Sequence, residues 1–573
     1  MARTVADQFS EILAAAGVRR IYGIVGDSLN GLTDSLRRQG KIEWIHVRHE
    51  EVAAFAAGGE AHLTGELAVC AGSCGPGNLH LINGLFDCHR SRVPVLAIAA
   101  QIPSAEIASG YFQETHPQDL FKECSHFCEL MSSANQMPRT LEMAIHAAVA
   151  ENGVAVVVIP GDVALLPAAD APLPKASGPL PAQPVVAPTN ADLDRLAALL
   201  NGEGSVTILC GSGCQGAHEQ LLSLGERLKA PIVHALKGKE YVEWDNPYDV
   251  GMTGLIGFSS GYYAMIDCDV LLMLGTDFPY RQFYPRGNGV QIAQIDQRGE
   301  VIGRRAPVDV GVVGDVRATI EALLPRLKEK RDSEHLDQAR EHYRKARKGL
   351  DELALSRRGK PPIHPQQVAK AISDCASENA VFTCGAGLPT VWAARYLAMN
   401  GKRRLIGSFW HGSMANAMSQ AIGAQTAGYL TVGRRGIHHA DGCFLTLVQH
   451  KLPVKVVVFN NGALGFIEIE QKSSGFLDTG TKLQNPNFAA MAEAIGVRGI
   501  RLEDPGDVES GIADALAHDG PVLVDAVVSR MVLPVPPTIT VEMAKGFTLY
   551  MVKAVMNGRG DDLVDLAKAN LWA

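Results

Sequence analysis

A glutamate suited to acid–base chemistry follows an early apolar run of the chain. Residues 42–47 have the pattern of a strand, Glu50 comes soon after them, and residues 52–61 have the pattern of a helix rich in Ala and Gly. A carboxylate at the carboxyl end of a strand lies where open α/β sheets bind their ligands. Shielded from water, such a group can hold or move a proton of a bound molecule. The alternative is a helix N-cap, a position that Glu fills poorly.

Two glycine-rich turns follow other predicted strands. The turn Gly72–Asn78 allows backbone amides to approach a ligand closely. The turn Gly211–Gly216 has the GxGxxG spacing of a dinucleotide-binding loop. That interpretation needs an acidic residue at the end of the next strand, where this chain has Leu236-Lys237-Gly238. The NAD fingerprint therefore fails, and each glycine turn alone is a weak signal.

Together the first segments resemble the pyrimidine-binding domain of thiamine-diphosphate-dependent enzymes. That family carries an Arg-His-Glu followed by small residues and a GxxGPG turn, matched here by residues 48–50 and 72–77. The resemblance implies that Glu50 bonds the aminopyrimidine ring of the cofactor and activates it. It also implies a cofactor turn at Gly75 and Gly77, and Phe112 and Gln113 on the substrate side of the site.

The middle of the chain resembles the FAD-binding domain of the pyruvate oxidase and acetohydroxyacid synthase branch of this family. The resemblance implies contacts to FAD, with the flavin as electron acceptor. The implied contact residues are Gly251, Met252, Thr253, Gly254, Leu274, Gly275, Thr276, Asp277, Phe278 and Gln294.

Two later segments resemble the part of the family that holds the thiazolium and diphosphate. They comprise Gly412, Ser413 and Met414, and then Asn461, Gly462, Ala463, Leu464, Gly465 and Phe466. The resemblance implies Mg²⁺ ligands at Asn461 and Ala463, and a catalytic role for Phe466. Oxygen ligands suit this hard cation.

The metal motif itself is incomplete. In the family a Gly-Asp-Gly lies farther upstream of the paired asparagines than Asp441-Gly442 does here. Counting back the family spacing from Asn461 reaches Arg434, and an arginine cannot ligate Mg²⁺. The segment also lacks the apolar strand expected before the motif, and Gly385 stands where relatives carry an acidic residue.

A compensated frameshift within residues 434–442 is one hypothesis for this segment. Codons chosen for these residues, read in another frame, restore a Gly-Asp-Gly followed by apolar residues. The nucleotide sequence decides the matter, because the hypothesis fails if the gene uses other codons.

Apolar runs alternate with helical patterns along the chain, as in α/β proteins with parallel sheets. The predicted buried strands cover 67–70, 95–100, 154–159, 206–209, 270–274 and 454–459. The fold class is therefore three doubly wound parallel-sheet domains plus a C-terminal helical tail. We place a pyrimidine-binding domain at 1–182, an FAD-binding domain at 183–336, a diphosphate-binding domain at 337–531 and the tail at 532–573. A proline-rich connector (165–188) and a charged helical linker (326–363) separate the domains.

Composition narrows the class of protein further. The length of 573 residues suggests several domains, and the net charge of -8 makes nucleic acid an improbable partner. The 11 cysteines are scattered and odd in number, which argues against a disulfide framework. No apolar run reaches the length of a membrane span, and the N-terminus lacks a signal-peptide core, so we expect a cytoplasmic protein.

The tail has an amphipathic pattern, with Leu563, Val564, Leu566, Ala567 and Leu571 on one side of a helix. It either packs on its own protein or lies in a membrane interface.

The resemblance is closest to the quinone-dependent pyruvate oxidases, and implies a homotetramer peripheral to the inner face of the membrane. The implied reaction is oxidation of pyruvate to acetate and CO₂, with electrons passing through FAD to ubiquinone. The alternatives are an acetohydroxyacid-synthase-like carboligase and a catalytically impaired relative.

Overall fold

Three six-stranded parallel sheets organise the residues that the structure describes. The structure is a computed structural model. It describes residues 3–170, 184–287, 289–355, 361–414, 416–429, 431–435, 442–533, 538, 541–557 and 559–570. Most of the proline-rich connector, residue Asp441, the prolines at 534–537 and Leu571 lie outside this set. The predicted α/β class with parallel sheets is confirmed, whereas the domain boundaries remain a prediction.

The first sheet has the strand order β2-β1-β3-β4-β6-β5. Its strands are β1 Arg20–Gly23, β2 Glu43–His46, β3 Ala68–Gly72, β4 Val95–Gln101, β5 Phe127–Leu130 and β6 Val154–Pro160. The helices around it are α1 Val5–Ala15, α2 Asn30–Gln39, α3 Glu50–Thr64, α4 Pro76–Ser91, α5 Pro117–Leu120, α6 Met137–Ala150 and α7 Gly161–Leu165. Strands β4 and β6 are buried at every residue, as their continuous apolar runs predict.

The second sheet has the order β12-β11-β10-β7-β8-β9. Its strands are β7 Val206–Cys210, β8 Ile232–His234, β9 Asp249–Met252, β10 Val270–Leu274, β11 Gln291–Asp296 and β12 Val310–Val313. Its helices are α8 Asn190–Leu200, α9 His218–Leu228, α10 Lys239–Val242, α11 Ser259–Ile266 and α12 Val316–Leu323. The long helix α13 Glu334–Leu355 follows and confirms the predicted helical linker.

The third sheet has the order β14-β13-β15-β16-β18-β17. Its strands are β13 Val381–Cys384, β14 Arg404–Gly407, β15 Thr431–Arg435, β16 Lys455–Asn460, β17 Arg498–Leu502 and β18 Val522–Val527. Its helices are α14 Pro365–Cys375, α15 Leu388–Tyr396, α16 Asn416–Thr426, α17 Gly442–Gln449, α18 Gly465–Ser473, α19 Phe488–Ala494 and α20 Val508–Ala517. The tail forms α21 Val541–Met556 and α22 Gly560–Asn570.

The segment that carries Arg434 forms a strand, although it lacks the apolar run expected before the metal motif. Strand β15 lies between β13 and β16, with Arg434 paired to Cys384 on one side and to Val457 on the other. Backbone pairing to two neighbours therefore makes a strand of a segment whose sequence is not apolar. This is an instance of tertiary context outweighing a local pattern.

The first and third domains share one apolar core. It joins residues of α3 and α4 to residues of α16 and α17, including Ala57, Leu85, Met418 and Phe444. Helices α3 and α16 cross so closely that a Cβ at Gly59 would lie 2.6 Å from the carbonyl oxygen of Gln420. The core thus positions the start of α3 relative to the third domain.

The tail packs on its own chain. Gly546 of α21 lies against the carbonyl of Ser473 at the end of α18. Arg559 bonds Asp478 at 2.5 Å, and Asn570 Nδ2 donates to the Met531 carbonyl at 2.6 Å. Of the predicted apolar side of α22, Leu566 is buried but Val564 is 49% exposed. All eleven cysteines are free, as predicted, and no helix of the described residues is long and apolar enough to cross a membrane.

Candidate active site

Glu50 is the first residue of α3 and is only 6% exposed. The N-cap of this helix is His49, whose ring Nδ1 accepts a hydrogen bond from the Glu51 amide at 3.2 Å. The alternative of a capping role for Glu50 is therefore wrong. Its carboxylate is enclosed without being used to satisfy the helix terminus, as acid–base chemistry requires.

A histidine that the sequence pattern did not single out contacts this carboxylate. His80, on the first turns of α4, has its Nδ1 2.9 Å from Glu50 Oε2. Its ring stacks on that of His49, with centroids 4.2 Å apart. Among the described residues, these three form the one group of three or more His, Cys, Asp or Glu with ligand atoms within 4.8 Å. His80 therefore orients the Glu50 carboxylate.

The glycine turn after β3 packs around Glu50 and Gln113. A Cβ at Gly77 would lie 3.2 Å from Glu50 Oε1, and one at Gly75 would lie 2.8 Å from the Cβ of Gln113. Gln113 adopts a left-handed conformation with φ 64°, and its Oε1 lies 3.4 Å from Cys74 Sγ. The structure thus brings together Glu50, Gly75, Gly77 and Gln113, whereas Phe112 is 77% exposed in the single chain.

The loop after β16 lines a cleft of 280 Å³, here called the Asn461 cleft. It contains most of the residues predicted for the diphosphate end of the site. The predicted residues that line it are Gly412, Met414, Asn461, Ala463, Leu464, Gly465 and Phe466. Gly462 turns the loop with φ 63°, and Asn461 Oδ1 accepts a hydrogen bond from the Ala463 amide at 3.2 Å. Ser413 instead faces the first domain, where Asn83 Nδ2 donates to its Oγ at 3.1 Å.

The metal end of this cleft offers few ligands among the described residues. Asn460 is engaged with Asp525 and with Asn485, both at 2.9 Å, so Asn461 is the asparagine available to a ligand. The position reached by the family spacing is Arg434 in β15. Asp441, the carboxylate nearest to Arg434 in the sequence, lies outside the described residues. Asn461 and the Ala463 carbonyl fit a hard cation, but no carboxylate is among the described residues that line the cleft.

A second cleft, of 420 Å³, opens at the carboxyl ends of β9 and β10 and is called the Thr253 cleft. The predicted FAD residues that line it are Met252, Thr253, Gly254, Gly275, Thr276, Asp277 and Phe278. Leu274 lies in the core beneath it, and Gln294 bonds the backbone of Gly303 and the neighbouring loops. Gly251 bends the strand end with φ 90°. These last three residues shape the cleft and do not line it.

The Thr253 cleft fits a flat, partly apolar ligand. Its walls include Phe278, Tyr280, Phe409 and Trp410. Thr253 is 2% exposed, and its Oγ1 has no hydrogen-bond partner among the described residues. A buried hydroxyl without a partner is costly unless a ligand or water satisfies it. A flavin ring, which has an apolar face and polar edges, meets both requirements.

The two clefts adjoin. Both are lined by Ala386, Gly387, Gly412 and Phe466. Gly387 has φ 109° and Gly412 has φ 80°, so backbone, not side chain, forms much of this boundary. Groups bound in the two clefts would therefore lie side by side with Phe466 between them.

Interdomain hydrogen bonds support the loop that carries Gly412. Asp87 of α4 accepts from Ser408 Oγ at 2.7 Å and from Gln420 Nε2 at 3.1 Å. His411 Nε2 lies 2.7 Å from Asn83 Oδ1. Burial raises the pKa of Asp87 to about 6, and burial lowers the pKa of His411. The site loop is thus tied to the first domain through a carboxyl that holds its proton unusually tightly.

Comparisons with known proteins match this architecture. The thiamine pyrophosphate enzyme N-terminal TPP binding domain matches residues 3–121, the central domain matches 193–323 and the C-terminal TPP binding domain matches 385–526. The chain therefore belongs to the thiamine pyrophosphate enzyme family.

Three relatives illustrate the range of similarity. An uncharacterized 42.6 kDa protein of Pseudomonas amyloderamosa is 70% identical over 63% of this chain and 91% of its own length. The thiamine pyrophosphate-containing protein YdaP of Bacillus subtilis is 34% identical over 99% of both chains. A pyruvate oxidase of Lactiplantibacillus plantarum is 30% identical over 91% of this chain and 87% of its own.

Replacing Asp87 by Asn should flatten part of the pH dependence of stability. The folded carboxyl binds its proton more tightly than the unfolded one, so its favourable contribution is complete below about pH 4 and is lost as pH rises through 6. The loss amounts to roughly 3 kcal/mol at most. In urea titrations between pH 4 and 7, the free energy of unfolding of wild type should fall by up to that amount relative to the free energy of unfolding of D87N. Parallel pH profiles for the two proteins would contradict this assignment.

Proposed function

We propose that this enzyme oxidatively decarboxylates pyruvate, as a pyruvate dehydrogenase (quinone). Pyruvate, water and a quinone would yield acetate, CO₂ and the quinol. Of the clefts described, the observation that carries the proposal is the shared boundary of the Asn461 and Thr253 clefts at Gly387, Gly412 and Phe466. Electron transfer between two cofactors requires such proximity.

Thiamine diphosphate would supply the electron sink for decarboxylation, and FAD would accept the electrons. Glu50 would hold and release a proton at the cofactor ring, a role supported by its enclosure and by its contact with His80. The loop of Asn461 and Ala463 would hold the diphosphate and Mg²⁺. The residues lining the Thr253 cleft would bind the flavin.

Substrate would enter beside Gln113, next to Glu50 and the glycine turn. The neighbouring Phe112 is 77% exposed, which is costly for a large apolar side chain unless another surface covers it. A second copy of the chain is the partner we propose, within a homotetramer whose sites lie between subunits. The similarity of this chain to a pyruvate oxidase supports pyruvate as the substrate.

One alternative has a specific observation in its favour. Arg434 lies in β15 at the position where the family spacing predicts a metal-binding aspartate. Without that aspartate the protein would be catalytically impaired. A carboligase, in which FAD has a structural role, is a further outcome of the test below.

Pyruvate should bleach the flavin of the purified protein in the presence of thiamine diphosphate and Mg²⁺ without oxygen. Replacing Glu50 by Gln should slow bleaching at least about 100-fold, because the acid–base group is lost. The control E66Q alters an exposed glutamate and should behave as wild type. The measurement is flavin absorbance in a stopped-flow instrument, with acetate and acetolactate assayed in the products.

Each other outcome has a distinct meaning. Acetolactate formation without bleaching would identify a carboligase. Cofactor binding without product would identify an impaired enzyme. Equal bleaching by E50Q and wild type would contradict the role of Glu50.

We also propose that the protein associates peripherally with the inner face of the cell membrane, where ubiquinone is found. The exposed side chains of the tail support this proposal. Although α21 packs on α18, its outer side exposes Val552, Val555 and Met556, at 51%, 61% and 80%. Their spacing places them on one side of the helix. Exposed apolar side chains of this kind favour a lipid surface.

The double variant V552E/V555E should bind anionic vesicles at least about tenfold more weakly than wild type, because two apolar contacts become charged. Co-flotation with vesicles in a density gradient measures this. The control V185E changes an exposed valine outside the tail and should bind as wild type. Unchanged flotation of the double variant would exclude α21 as the lipid-binding surface.

A further inference from the structure

A third cleft continues from the Thr253 cleft. It also measures 420 Å³, is lined by polar groups such as Asp296, Arg298 and Asp315, and is called the Asp296 cleft. The two share Ser212, Lys237, Gly275 and Phe409 as lining residues. A ligand with two bulky ends and a narrow middle would match two clefts joined in this way.

Lys237 is the cation at this junction. It lies in the short turn Leu236–Gly238 that follows β8, at the carboxyl edge of the second sheet, and is partly buried. Within the described part of the chain, no carboxylate lies within ion-pair distance of its ammonium group. Burial lowers the pKa of Lys237 to about 8, against the nearby charges of Asp87 and Glu240, while Arg298 and Arg92 lower it further.

The two nearby carboxylates are committed elsewhere. Asp87 accepts from Ser408 and Gln420, whereas Glu240 accepts from Arg404 Nε at 2.9 Å and from the Leu405 amide at 2.8 Å. Lys237 therefore carries a partly buried charge without a close counter-ion. Such a charge is unfavourable unless a bound anion compensates it.

The glycine turn after β7 also lines the junction. Gly213 donates its amide hydrogen to the Gly275 carbonyl at 3.0 Å, and a Cβ at Gly213 would lie 2.7 Å from the Gly275 Cα. Two strand ends are thus pressed together, and Ser212 and Gly275 remain at the cleft surface. This is the GxGxxG turn that lacks the acidic partner of an NAD site; Lys237 stands in that place.

We infer that Lys237 binds the diphosphate of the dinucleotide, which crosses from the Thr253 cleft to the Asp296 cleft between Lys237 and the Gly211–Gly213 turn. The inference rests on the proposed use of FAD. The flavin ring would occupy the aromatic cleft and the adenosine the polar one. An ammonium group recognises a diphosphate as a compact charge, so the interaction needs charge more than shape.

The test is a titration of flavin-free protein with FAD, ADP and riboflavin, followed by flavin fluorescence and, for ADP, by competition. The variant K237M should bind FAD and ADP at least about tenfold more weakly, since a charge-assisted interaction is lost. Riboflavin, which lacks the diphosphate, should bind K237M and wild type alike. K237R should retain affinity within about threefold of wild type.

The control K402M removes an exposed lysine that pairs with Glu378, and should bind all three ligands as wild type does. Circular dichroism and gel filtration of K237M and K237R report folding. Equal FAD affinity of K237M and wild type, or equal weakening of riboflavin, would overturn the role of Lys237 alone. If folded wild type binds neither FAD nor ADP, the proposed flavin function fails as well.

Discussion

Gly59 and Gly423 lie where helices α3 and α16 cross, and that crossing fixes the first and third domains of the chain against each other. At both positions an added Cβ would meet backbone of the other helix, Gln420 in one case and Ala56 in the other. Close backbone packing leaves little freedom for one helix to move against the other. The start of α3, which carries Glu50, is thereby held against the third domain. Asp87 and Asn83 of α4 extend the same contact to the loop of Ser408 and Ser413.

The middle domain is joined to this pair through one buried carboxylate. Glu240 of α10 accepts hydrogen bonds from Arg404 and from the Leu405 amide at the start of β14, and His62 of α3 lies 3.9 Å away. One group from each domain thus meets at a single point. Removing Glu240 alone would leave Arg404 partly buried without its partner, which is strongly unfavourable. The junction also borders the Asp296 cleft, which Glu240 and Leu405 line.

Much of the fold followed from apolar runs, because a parallel strand covered on both faces must be apolar throughout. Strand β15 was not predicted in this way, since its sequence, Thr-Val-Gly-Arg-Arg, contains no apolar run. The glycines and the Asn461 loop were identified from motifs that reflect backbone requirements. His80 and Lys237 were not identified from the sequence, because neither belongs to a spaced motif. The distance from His80 to Glu50 reveals the role of His80, and the position of Lys237 where two clefts join reveals that of Lys237.

The central claim is that the Glu50 turn of one subunit and the Asn461 loop of another together bind thiamine diphosphate. Calorimetric titration of the purified chain with thiamine diphosphate, with and without Mg²⁺, tests it most directly. We expect saturable binding that requires Mg²⁺ and that N461A weakens about tenfold or more. Absence of binding by the folded chain, or binding that neither Mg²⁺ nor N461A affects, would contradict it.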